Sequence, residues 1–238
     1  MLRFAVATTA VLLFTVSLTF AQKAPAPPVD TSFDKFQIFG GYSLFHADAA
    51  GLQGPNIDAT LHTTQKTFGV NTNFNGWNAE FQYNPVATFG VVADFGGRYG
   101  DLLSTTNGVS GMPKFSGYSV MVGPEISHRM KSRPSLKPYI HALFGFDDLF
   151  IAASHPTGVT TVSSTPSLTD SSFALVGGGG IDYKMTGHLS FRIAQVDYFY
   201  TTHNMRAIYG DLFGEANFQN LQKRQRNARV ASGLIYRF

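Results

Sequence analysis

Eight ionisable side chains stand at alternate positions within otherwise apolar stretches: Glu80, Asp94, Arg98, Glu125, Asp182, Arg192, Arg229 and Arg237. Four are acids and four are arginines, so the set is balanced in charge. Charges that alternate with aromatic and aliphatic residues share one face of an extended chain. On an enclosed face they must be paired or hydrated, and a balanced set then makes a neutralised polar plug. The same groups along an open path would serve ion or proton passage; the balance favours the plug. A second constellation is His188-Leu189-Ser190 with Asp197. A His and a Ser two positions apart share a strand face, and an acid that orients the His completes the parts needed for nucleophilic acyl transfer. The other histidines are dispersed, with no His-Glu-x-x-His spacing, and no metal or cofactor is expected. Gly177 to Gly180 is not followed by Lys-Ser/Thr, so it is read as room for sheet curvature or large neighbours rather than as a phosphate loop.

The elements that must position these groups are strands. Apolar residues recur every second position over Lys35 to Phe45, Gly76 to Asn84, Thr88 to Tyr99, Phe115 to Ser127, Pro138 to Asp147, Ser172 to Tyr183, His188 to Tyr200 and Arg229 to Phe238. In the seventh the phase slips, since Leu189, Phe191 and Ile193 give way to Val196, Tyr198 and Tyr200; a bulge is expected near Ala194-Gln195. Connections alternate in length. A tight turn is predicted around Asn84-Pro85, and short links at His128 to Lys137 and Lys184 to Gly187; the polar connections Ala47 to Asn75, Gly100 to Lys114, Ile151 to Ser171 and Thr201 to Ala228 are long. This asymmetry and the even strand number predict an all-β fold, an eight-stranded antiparallel up-and-down transmembrane β-barrel. The charges oppose the aromatic face, which places them in the lumen and the aromatics toward lipid.

Composition agrees. Of 238 residues 14% are charged, against about 25% in soluble domains. Aromatics are also 14%, and mean hydropathy is −0.01. The absence of cysteine excludes disulfide scaffolds, thiolate metal sites and thiol catalysis. A net charge of +3 is too small to argue for nucleic acid. Residues 1–21, with Arg3, an uncharged run to Phe20 and small residues before Gln22, read as a signal peptide. Residues 22–34 carry Pro25, Pro27 and Pro28 and read as an extended tether, leaving 35–238 for the barrel.

Three stretches resemble the small outer-membrane β-barrel family that includes the transmembrane domain of outer-membrane protein A: Leu234-Ile235-Tyr236-Arg237-Phe238, Asn75 to Gly100, and Phe191 to Thr201. The resemblance implies residence in the outer membrane of a Gram-negative-type envelope, reached through the periplasm. It also implies insertion by the barrel-assembly machinery, with Leu234, Tyr236 and Phe238 as its signal. No peptidoglycan-binding domain is expected after the eighth strand. The role implied is structural or adhesin-like, with a narrow porin-like channel as the alternative. A third reading, a barrel enzyme acting on lipid A, meets the objection that His188 falls at a short turn, on the periplasmic side. Lys223-Arg224-Gln225-Arg226 would pair with lipopolysaccharide phosphates, or else is a solvated loop end.

Overall fold

The computed structural model describes residues 33–47, 68–70, 72–101, 103–105, 114–152, 168–204 and 224–238. The signal-peptide segment and nearly all of the tether lie outside them. Within a compact unit, Asp34–Phe238, there are ten strands: β1 Phe36–His46, β2 Phe68–Val70, β3 Asn73–Val86, β4 Phe89–Asp101, β5 Leu103–Thr105, β6 Lys114–Ser127, β7 Leu136–Ala152, β8 Leu168–Lys184, β9 Leu189–Thr201 and β10 Gln225–Arg237. Eight of them close an antiparallel barrel in the order β1-β10-β9-β8-β7-β6-β4-β3, as the alternation predicts, while β2 and β5 pair in a small separate sheet. That sheet lies within the long connections Ala47 to Asn75 and Gly100 to Lys114 and leaves the eight-stranded barrel unchanged. Its strands, three residues each, are too short to show a period.

Closure is made by the two ends of the chain. Ile38 lies opposite Tyr236 and Gly40 opposite Leu234, and the Phe238 amide donates to the Phe36 carbonyl at 3.0 Å. Because side chains alternate across the wall, every strand shows one row to each side. The outward row is apolar, from Phe36, Ile38 and Tyr42 on β1 to Leu234 and Tyr236 on β10. Aromatic rings gather near both edges of this band. At the long-loop edge Trp77 Nε1 donates to the Tyr99 hydroxyl at 3.2 Å, and Tyr118 meets Tyr99 and Phe150 edge-on, each at 5.8 Å. At the short-turn edge Phe36 lies 5.2 Å from Tyr83, and Tyr236 lies 4.9 Å from Phe238. Amphipathic rings at two levels are the girdle pattern of lipid-facing barrels.

The bulge in β9 lies at Ile193-Ala194, where the phase slip implies it: Ala194 faces Ile181 while Arg192 faces Asp182, and Ile193 and Ala194 are both exposed. Two local expectations need correction. The turn at Asn84-Pro85 is a bulge instead, since Tyr83 faces Val91 and Val86 faces Phe89. A bulge tolerates Pro because the ladder is already broken there, and the chain reverses at Ala87-Thr88. Strands β7 and β8 run 17 residues each, well past the expected limits at Asp147 and Ser172.

Candidate functional site

The lumen is the site that the inward row builds. All eight expected charges lie there, none more than 5% exposed. The arginines organise them. Arg192 Nη1 donates to Glu80 Oε2 at 2.6 Å and its Nε to Asp182 Oδ1 at 3.0 Å, while its guanidinium stacks 4.3 Å from Phe39 and 4.5 Å from Tyr139. Arg229 forks onto both oxygens of Asp94 at 3.0 and 2.7 Å and donates Nε to Asp197 Oδ2 at 2.9 Å. Arg98 forks onto Asp147 at 2.8 and 2.6 Å and lies 4.2 Å from the Phe45 ring. Planar bidentate pairs of this kind are the geometry a guanidinium offers and an ammonium does not.

The one remaining acid and the one remaining base of the eight are not matched to each other. Glu125 accepts from Gln82 Nε2 at 2.7 Å, and Arg237 reaches Asp34 at 3.6 Å. Asp147, Asp197, His141 and His203 belong to the network without having been among the expected eight. Asp147, Asp197 and His141 were legible, because each keeps the inward phase of its strand. His203 was not, since it follows the last residue of β9. Its ring bridges two carboxylates, with Nε2 2.8 Å from Asp147 Oδ2 and Nδ1 2.8 Å from Asp170 Oδ2.

Toward the long loops the inward row turns apolar on β1, β3, β6 and β7, while Thr201, His203, Gln225 and Asn227 keep it polar around the ends of β9 and β10. Phe45, Phe74, Phe115, Leu149, Ile151 and Phe199 are all buried. Phe74 and Phe115 lie 4.4 Å apart, and Phe45 meets Phe199 edge-on at 5.5 Å. The charged layers are thus capped by packed aromatic rings on one side of the barrel and by the Thr201, His203 and Gln225 cluster on the other. Gly178 and Gly180 leave room beneath: a Cβ on the first would strike the Asp197 carboxylate, and on the second the Tyr139 ring. Gly178→Val is therefore expected to cost about 1–3 kcal/mol through overpacking, read as a lower urea midpoint for the folded barrel in micelles.

The acyl-transfer constellation is dispersed. Asp197 is held by Arg229 and, with 2.8 Å between His141 Nε2 and its Oδ1, by His141. His188 Nδ1 lies 3.0 Å from the Arg237 carbonyl, and Ser190 Oγ is buried without a partner among the described residues. Leu234, Tyr236 and Phe238 all point outward from the closing strand. Of the basic cluster, Lys223 lies outside the described residues, and Arg224 and Arg226 are exposed.

No protein-family model matches this sequence, and no curated protein does. Solved structures do. Neisserial surface protein A superposes with a TM-score of 0.52 at 13% identity, over 85% of this chain and 97% of that one. Ail, the attachment invasion locus protein of Yersinia pestis, gives 0.47 at 15% identity over 87% and 100%. The outer membrane protein OprG from Pseudomonas aeruginosa gives 0.45 at 16% over 88% and 99%. The likeness to the first is one of fold: this chain is built as a small eight-stranded barrel of the outer-membrane type.

Proposed function

We propose that the protein is an integral outer-membrane barrel with a structural or surface-interacting role, exported through the periplasm and carrying no enzymatic activity. The observation that supports this reading best is the filled lumen. Arginine–carboxylate pairs fill its middle, and aromatic rings together with the buried Thr201, His203 and Gln225 fill the inward positions toward the long loops. An interior of this kind stabilises a small barrel and leaves its surface to interact. Inward charges with an outward apolar band are the inverse of a water-soluble barrel, which supports lipid as the surrounding phase. The long connections then face the cell exterior and the short turns the periplasm. In that orientation Arg224 and Arg226 stand on the side where lipopolysaccharide phosphates lie. The outward Leu234, Tyr236 and Phe238 are the residues by which the barrel-assembly machinery would take up the chain.

Two measurements test the reading together. The expressed protein should fractionate with outer membranes, and its band should shift between unboiled and boiled samples; release by osmotic shock without detergent would overturn the membrane assignment. The purified barrel should give no stepwise conductance in planar bilayers, and reproducible unitary steps would replace the closed barrel with a narrow channel. A change in lipid A mass on expression that His188→Ala abolishes would replace it with an enzyme.

A further inference from the structure

Basic side chains cluster on the exposed rim at the short-turn end of the barrel. Lys35, Arg129, Lys131 and Arg133 are exposed there and Lys184 is half-buried. Among the described residues none of the five makes an ion pair. The acids at this end are engaged: Asp34 with Arg237, Asp182 with Arg192, and Glu125 with Gln82 inside the lumen. Long basic side chains without partners cost nothing on a solvated rim, but five of one sign set up a local positive field.

Their backbone is fixed. The Arg133 amide donates to the Met130 carbonyl at 3.2 Å and the Leu136 amide to the Arg133 carbonyl at 2.9 Å. The Lys184 amide donates to the Ser135 carbonyl at 2.7 Å, tying the end of β8 to the same turn. Lys35 lies beside the next turn, its carbonyl accepting from the Asn84 amide at 2.8 Å. The cations are spread along the rim and converge on no pocket, which suits an extended anionic surface better than one small anion.

Their level identifies that surface. Lys35 and Lys184 directly follow or precede the outward rings Phe36 and Tyr183 of the lower girdle. Met130 and Met185 sit in the same turns, exposed by 41% and 54%. Cations one step beyond an aromatic girdle, interleaved with exposed thioethers, stand where phosphate headgroups meet acyl chains. We infer that this rim binds the anionic phospholipid headgroups of the adjacent leaflet, through Lys35, Arg129, Lys131, Arg133 and Lys184. The inference rests on the membrane reading above and adds a lipid preference to it.

The test uses the full chain reconstituted in vesicles of phosphatidylcholine, alone or with phosphatidylglycerol. The relative association of spin-labelled phosphatidylglycerol and phosphatidylcholine with the barrel is the readout. A single basic side chain at an anionic surface supplies about fivefold, so a several-fold preference for phosphatidylglycerol is expected at low salt, falling toward parity at high salt. Arg129→Gln, Lys131→Gln and Arg133→Gln together should remove most of it while the heat-shifted band persists in pure phosphatidylcholine. Equal association of the two lipids at low salt overturns the inference, as does a preference untouched by the triple variant. Competition by inorganic phosphate beyond that of chloride at equal ionic strength would make it a small-anion site instead. Salt-sensitive sedimentation with isolated sacculi, without lipid preference, would assign the rim to the wall polymer. The wild-type salt titration decides the matter even if the variant fails to fold. A heat-shifted band in phosphatidylcholine keeps the membrane reading intact when the lipid preference fails, and a chain that never inserts sinks that reading first.

Discussion

Arg192→Ala should lower the unfolding free energy of the barrel by about 3–5 kcal/mol, the range for removing one partner of a buried ion pair. The substitution leaves Glu80 and Asp182 facing one another across a space that held their shared counter-charge. It also removes the cation from between Phe39 and Tyr139, where a desolvated stack adds about 2 kcal/mol or more. Trp77 is the single tryptophan, on the outward face, so its fluorescence during urea unfolding in vesicles reports transfer out of lipid. A loss below about 1 kcal/mol would mean that these charges behave as solvated surface pairs and that the lumen is wet. Arg192→Lys should fall between, because one ammonium cannot fork to two carboxylates and stack at once. Arg192→Met combined with Glu80→Gln and Asp182→Asn should recover much of the loss, since the penalty lies in the orphaned charges rather than in the missing pair.

The barrel itself was legible because alternation is a strong signal wherever the two faces of a strand differ in polarity. Trp77, Ala79, Phe81 and Tyr83 against Asn78, Glu80 and Gln82 define β3 without help from any neighbour. The slip in β9 was legible for the same reason: one extra residue flips every later side chain, and only a bulge restores Val196 and Tyr198 to the outside. The ends of β7 and β8 were hidden by a break in the pattern. Past Asp147 both faces are mixed, with Asp148 and Phe150 outward and Leu149 and Ile151 inward. A search for apolar residues outside falters at Asp148, although the strand continues to Ala152. Pro85 misled for a local reason, since turn and bulge both accept it.

The pairing inside the lumen follows from closure, which no local pattern encodes. Arg192 and Glu80 are 112 residues apart, and Arg229 and Asp94 are 135. Alternation tells which charges share the interior. The register of the ladder and the stagger of the barrel decide which of them touch. Asp197 is the clearest case: sequence proximity offered it to His188, and the fold gives it to Arg229 and His141, neither of them near it in the chain.

Phe199→Ala probes the junction of the aromatic cap and the charged layers. Its ring is buried, edge-on to Phe45 and 4.9 Å beneath the Arg229 guanidinium. It borders a small cavity that Ser43, Gly96, Arg98 and Ser119 also line. Truncating a buried Phe costs about 3–5 kcal/mol. The lower end is expected here, about 3 kcal/mol, because hydroxyls and guanidiniums around the enlarged void can hold water where an apolar void would stay empty. Phe199→Leu, which keeps most of the volume, should cost about 1 kcal/mol. Both are read as shifts in the urea midpoint. The same variant separates two ways of closing the lumen. If the paired arginines seal it, the barrel remains silent in planar bilayers despite its lower stability, since the Arg192 layer is untouched. Conductance from Phe199→Ala alone would mean that the charged layers are already hydrated and that the ring of aromatics is what keeps ions out.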